Sequence, residues 1–200
     1  MRPRYLVVSL ASPRPRLPSF GLLLLGLALV TAHGPRALAE GPFSLTSASF
    51  HNGGAVDAAQ VYGQDDCKGG NRSPQLSWQD APTGTRSFAV TVFDPDAPGR
   101  GWWHWAVAGI PATVEQLPEN ASASGLLKKL GAVEARNDFD DEGYSGPCPP
   151  PGKPHHYIVT VYALDTADLR LAQGRPALMF DHEISTATLG YARMTVTYGR

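Results

Sequence analysis

Three groups of residues in this chain have the types and spacing to do chemistry. Asp94, Asp96, Trp102 and His104 fall in one run, DPDAPGRGWWH. His155, His156 and Tyr157 close a second run, GYSGPCPPPGKPHHY at 143–157, which holds four prolines and three glycines before Pro154. Cys67 and Cys148 are the only cysteines. Imidazole N–H groups and a tyrosine hydroxyl offer several donors for an oxyanion, and an aspartate can fix a histidine tautomer or accept from an ammonium. The bland alternative is that the histidines merely satisfy a core. A zinc site built from Asp94, His104 and His155 has suitable ligand types but no characteristic spacing. A serine hydrolase fails on its motif, because Pro147 follows GYSG where a nucleophile elbow around Ser145 requires glycine. A catalytic thiol at Cys148 would require Cys67 to be unpaired. The residues therefore read as a binding site without catalytic residues.

Those residues need elements to hold them. Proline fixes φ and glycine reaches conformations other residues cannot, so 143–157 is a stiff, shaped loop rather than a slack linker. It leads into YIVTVYAL at 157–164, a strand with β-branched positions. Residues 87–93, SFAVTVF, are apolar on both faces, which marks a central buried strand that stops at the prolines of DPDAP. Only Gly99, Arg100 and Gly101 separate that turn from the next strand, 104–110, so the chain doubles back and Asp94, Asp96 and His104 are expected at one end of a sheet. If the strands 87–93, 104–110 and 157–164 share that sheet, both histidine-bearing groups converge on one pocket.

Elsewhere, alternation predicts strands over 43–50, around Gln60 to Tyr62, over 75–78 and over 192–198. PALMFDHEISTATLG at 176–190 predicts the one convincing helix, with proline near its start and glycine at its end; Leu178, Met179, His182 and Leu189 lie near helical spacing, and His182 reads as a packed or surface residue. The segment 111–142 carries little signal beyond a helical turn at 124–130. Its acidic cluster, Asp138, Asp140, Asp141 and Glu142, lacks the regular ligand spacing of a calcium loop and reads as solvated.

Two hundred residues with 42% hydrophobic content, 18 prolines and 21 glycines favour one domain of short elements and many turns, hence mainly β structure. Residues 1–39 read as a cleaved signal peptide: Arg2, Arg4, Arg14 and Arg16 precede the apolar run 20–30, and Ala37-Leu38-Ala39 is a small-x-small site. That run is shorter than the ~20 residues a membrane span needs. The domain is then 40–200, exported to the periplasm or secreted, with no stable membrane insertion after cleavage. Five arginines and no acidic residue belong to the leader, so 12 basic residues face 18 acidic ones in the remainder, a net charge of −6 with His neutral. Such a balance argues against nucleic acid as a partner. Export makes a Cys67–Cys148 disulfide the default reading of an even pair, and its long loop would contribute roughly 4 to 5 kcal/mol by the entropic model.

Taken together, DPDAP at 94–98, WHW at 103–105, GPCPPPG at 146–152 and HHY at 155–157 resemble the phosphatidylethanolamine-binding protein family, also called Raf kinase inhibitor-like proteins. CKGG at 67–70 and the short GRGWWHW link look like its bacterial branch, and the resemblance spans 43–200. It implies a large antiparallel central sheet, a smaller sheet and one or two short peripheral helices. It also implies one small cavity for a phosphate, a carboxylate or a phospholipid headgroup. By motif position, Asp94 is the pocket aspartate, His104 and His155 the pocket histidines, Tyr157 the pocket tyrosine, Trp102 a side wall, and Gly146 with Pro147 a backbone wall. His156 stands where the family commonly has arginine. No cofactor is implied. Inhibition of a protease or another protein is the family's alternative role, and it leaves the partner unidentified.

Overall fold

The computed structural model describes residues 42–200; the signal peptide read at 1–39 lies outside the described residues. Between its many turns the chain forms β1 (Ser44–Thr46), β2 (Leu76–Gln79), β3 (Ser87–Asp94), β4 (Trp102–Pro111), β5 (Gln116–Leu117), β6 (Val133–Glu134), β7 (His155–Leu164) and β8 (Thr188–Tyr198). Among the described residues two helices join them, α1 (Leu126–Lys129) and α2 (Ala177–Ala187). The strands make a small sheet in the order β1-β2-β5 and a larger one in the order β6-β4-β3-β7-β8, antiparallel throughout. This is the mainly β architecture that the resemblance implies.

The doubly apolar β3 takes the centre of the larger sheet and is buried at every position except Phe93. Phe88, Val90 and Val92 pack with Leu76 and Trp78 of the small sheet, and with Val159 and Val161 of β7. On the opposite face, Ala89 joins Ala106, Ala108, Phe180 and Ile184, so small residues on the sheet receive large ones from α2. Burying each large apolar side chain contributes about 1.5–3 kcal/mol, which makes these two faces the scaffold of the molecule.

Several elements depart from the sequence expectation, each for a physical reason. β1 ends at Thr46 rather than running to Phe50, because Ser47 Oγ donates to the Gln75 carbonyl and accepts the N–H groups of Ser49 and Phe50, turning the chain away from the ladder. No strand forms at 60–62. There the Tyr62 N–H donates to the Pro147 carbonyl and the Gly69 N–H to the Tyr62 carbonyl, so the backbone is satisfied by neighbouring loops. On α2 the buried face is Ala177, Phe180, Ile184 and Ala187. Leu178, Met179 and His182 are exposed on the opposite side of the helix, and Leu189, also exposed, lies beyond it in β8, so the spacing read from the sequence does not mark the buried face. β8 starts at Thr188, ahead of the expected Ala192, because α2 passes into it without a loop.

Candidate functional site

Asp94 ends β3, and its carboxylate is buried because the turn folds back over it. Oδ1 accepts the backbone N–H groups of Asp96 at 2.8 Å and Ala97 at 3.1 Å, while Oδ2 lies 2.7 Å from Nδ1 of His155, the first residue of β7. A second rung repeats the pattern outside: Asp96 Oδ2 accepts the His156 N–H at 2.8 Å and meets its Nδ1 at 2.6 Å. That contact holds the Asp96 carboxyl below its ordinary range, chiefly through the side-chain bond to His156. Two aspartates spaced by one residue thus clip the DPDAP turn to two adjacent histidines. His156 is exposed and is not among the pocket residues. Because β7 begins at His155, both histidines sit on the strand rather than on the loop before it.

A β-bulge positions His104. Val92 pairs with Trp105 and Phe93 with Trp103, so His104 is the extra residue in β4. The bulge lets His104 and Trp105 turn to the same side of the sheet while Trp103 packs toward α2. The link before it requires glycine at 101, where φ is +82° and an added Cβ would come within 2.3 Å of the Phe93 ring and 2.7 Å of the Asp94 carbonyl oxygen. His104 Nδ1 donates to the carbonyls of Ser145 at 2.8 Å and Gly146 at 3.2 Å. Burial lowers the His104 pKa despite those two acceptors, so the neutral ring is favoured.

Around these groups lies a cavity of about 300 Å³. Asp94, Trp102, His104, His155 and Tyr157 line it, joined by Ala97, Pro98, Phe139, Cys148, Pro149 and Pro150. Two polar atoms of the lining residues, Tyr157 Oη and Trp102 Nε1, are buried and have no hydrogen-bond partner among the described residues. Burial, with the Asp94 charge as second cause, drives the Tyr157 hydroxyl far above its ordinary pKa, so it stays an O–H donor. The Tyr157 ring meets His104 edge to face at 5.1 Å.

Gly146 and Pro147 stand one layer behind the cavity rather than on its surface. Gly146 packs against the 60–62 backbone so closely that a Cβ would lie 2.0 Å from the Gln60 carbonyl oxygen; its own N–H donates to Asn71 Oδ1 at 2.8 Å. The Cys67–Cys148 disulfide reinforces the same contact, with a Cα separation of 5.8 Å. Sequence reasoning missed Phe139 and Asn137. Phe139 sits edge-on to Trp102 at 5.4 Å and stacks on Tyr62 at 4.4 Å. Asn137 holds that corner: Nδ2 donates to the Gly143 carbonyl and to Ser145 Oγ, and Oδ1 accepts from the N–H groups of Phe139 and Asp141. The acidic cluster read as solvated is also engaged here. Asp138 accepts the Trp103 N–H at 2.8 Å, and Asp141 accepts Ser145 Oγ at 3.0 Å. Asn137 and Phe139, set against the acidic run that ends at Glu142, were the available signal. Among the described residues, no group of three or more His, Cys, Asp or Glu side chains is arranged to hold a metal ion.

The sequence profile of the family described as phosphatidylethanolamine-binding protein matches residues 46–199. The Escherichia coli protein YbcL is 43% identical over 159 residues, covering 78% of this chain and 87% of its own length. A Mycobacterium tuberculosis protein described as the lipoprotein LppC is 35% identical over 170 residues, covering 84% of this chain and 78% of its own length. A crystal structure of E. coli YbcL, described as a new member of the mammalian PEBP family, superposes with a TM-score of 0.77 at 41% identity, covering 80% of this chain and 99% of that one.

Proposed function

The chain belongs to the phosphatidylethanolamine-binding protein family, and on that premise we propose that it is a non-enzymatic binding protein whose single pocket holds a small anionic group: phosphate, carboxylate or a phospholipid headgroup. One observation carries the reading. Tyr157 and Trp102 both line one cavity, and each carries a buried donor, Oη and Nε1, without a protein partner among the described residues. An unmade buried hydrogen bond costs about 1–3 kcal/mol, a cost that an anion accepting from both would relieve. The non-catalytic half rests on the state of the nucleophiles: Cys148 is in a disulfide, and Ser145 Oγ is bonded to Asp141 rather than to a histidine.

Tyr157→Phe tests the reading through two effects of opposite sign. Removing a hydroxyl that lacks a protein partner is expected to leave the melting temperature unchanged or raised, while calorimetric affinity for inorganic phosphate and phosphorylethanolamine falls about five- to tenfold, the worth of one hydrogen bond. Unchanged affinity, or no binding of either anion by the parent protein, would sink it.

We also infer that the protein is exported and works with its disulfide closed. The leader at 1–39, the paired cysteines and the lipoprotein description of LppC support this reading. Among the described residues, no helix is long and apolar enough to cross a membrane. N-terminal sequencing of the protein recovered from the envelope or medium is expected to start at Glu40; recovery only from the cytosol with both thiols free would overturn the inference.

A further inference from the structure

The pocket's polar groups are unequal in kind. His104 Nδ1 faces two carbonyl oxygens, which can only accept, so Nδ1 carries the ring's proton and the neutral imidazole keeps a lone pair on Nε2. Nε2 has no partner among the described residues, and His104 lines the cavity. Of the other acceptors, Asp94 is already occupied, with two N–H groups on Oδ1 and His155 on Oδ2. The donors without partners are Tyr157 Oη and Trp102 Nε1. His155, whose Nδ1 is taken by Asp94, also has no partner on Nε2, so a ligand that satisfies the wall must accept from Tyr157 and Trp102, donate to His104, and meet His155 Nε2 in either role.

Charge points the same way. The titratable groups facing His104 are Asp94 from β3, Asp138 from the segment after β6, and His155 and Tyr157 from β7. Among the described residues the cavity lining contains no lysine or arginine. Burial opposes a second proton on His104. A dianion would meet the Asp94 carboxylate with only His155 able to offset it, whereas a monoanion with a hydroxyl of its own matches both the charge and the lone pair.

We propose that the pocket selects oxyanions that carry a proton, a phosphomonoester or inorganic phosphate monoanion in preference to a phosphodiester or sulfate, with His104 Nε2 accepting the ligand's P–OH. This rests on the anion-pocket reading above and sharpens it: the unprotonated oxygens accept from Tyr157 and Trp102, while the P–OH is what a diester headgroup lacks. His104 is the specificity-determining residue.

The test uses the unmodified protein and needs no substitution. Methyl phosphate and dimethyl phosphate are both monoanions in mild acid, but only the first has a P–OH. Calorimetric titration at about pH 5.5 is expected to show methyl phosphate binding about tenfold more tightly than dimethyl phosphate or sulfate, the cost of leaving one buried acceptor unpaired. By about pH 8, some two units above a phosphomonoester's second pKa of ~6, that advantage is expected to vanish as the ligand loses its proton. A ratio that is constant or rises with pH, or sulfate binding as tightly as methyl phosphate at the lower pH, overturns the proposal. Phosphorylethanolamine against glycerophosphorylethanolamine separates the sources, since both carry the ammonium and only the monoester carries the P–OH. Equal affinity in that pair assigns the pocket to a diester headgroup and overturns the proposal as well. Failure of every one of these anions to bind would instead remove the anion-pocket reading on which the proposal stands.

Discussion

His104 ties stability to pH with a definite sign. Burial lowers its folded-state pKa below the ordinary 6.5, so the unfolded chain takes up this proton first as the solution is acidified. The stability contributed by the neutral, carbonyl-bonded ring is therefore present in full above about pH 6.5. It is lost as pH falls below that value, with a limiting slope of about 1.4 kcal/mol per pH unit for one proton. Urea unfolding of the parent and of His104→Gln across this window is expected to show that slope only in the parent. Parallel curves would mean that His104 is not the linked group. Behind Phe139 of the pocket wall, Asn137 makes all four of its hydrogen bonds, so Asn137→Ala is expected to cost about 2–4 kcal/mol by stranding the Phe139 and Asp141 N–H groups together with the Gly143 carbonyl. Chemical denaturation measures this directly, and a loss below about 0.5 kcal/mol would mean that the corner re-forms without it.

At the scale of elements, the β3–β4 turn brings Asp94 and His104 to the lining of one cavity. Gly101 has positive φ and no room for a Cβ, so Gly101→Ala combines backbone strain with a clash against Phe93 and Asp94. A cost of about 2–4 kcal/mol is expected, together with weaker anion binding, because relief of the clash displaces the Asp94 backbone. A crystal structure of the variant with the Asp94–His155 contact intact would remove the second half of that expectation. The two aspartate–histidine rungs place this turn against the start of β7, which explains why the short link matters to groups more than fifty residues away. The doubly apolar pattern of 87–93 was enough to place β3 at the sheet's centre. The ends of neighbouring elements were less legible, because side-chain bonds such as those of Ser47 settled them.

Across the whole molecule, the Cys67–Cys148 bond joins residues 81 apart and fastens the 60–71 segment to the back of the pocket wall. Cys67 belongs to the core on one face of the central sheet and Cys148 packs against it, whereas the core on the α2 face contains neither. The loop-closure model allows the disulfide up to roughly 4 to 5 kcal/mol. Reducing it, or replacing both cysteines with serine, is expected to weaken phosphate binding at temperatures where amide protons of β3 and β7 still resist exchange. Loss of binding and of protection at one and the same temperature would mean that the wall is not separately stabilised.

The residues whose identity alone constrains geometry were legible in the linear chain. The proline-bounded motifs at 94–98 and 146–152, the apolar runs and the cysteine pair specified a mainly β fold, a stiff loop and a short list of polar groups. Each of those signals is local. The bulge that turns His104 toward the cavity, the exposed placement of Leu178 and Met179, the insertion of Phe139 and the start of β7 at His155 were decided only in three dimensions. They depend on which strand meets which and in what register, and register is set by pairings between segments far apart in the chain, to which the local pattern of either segment is blind.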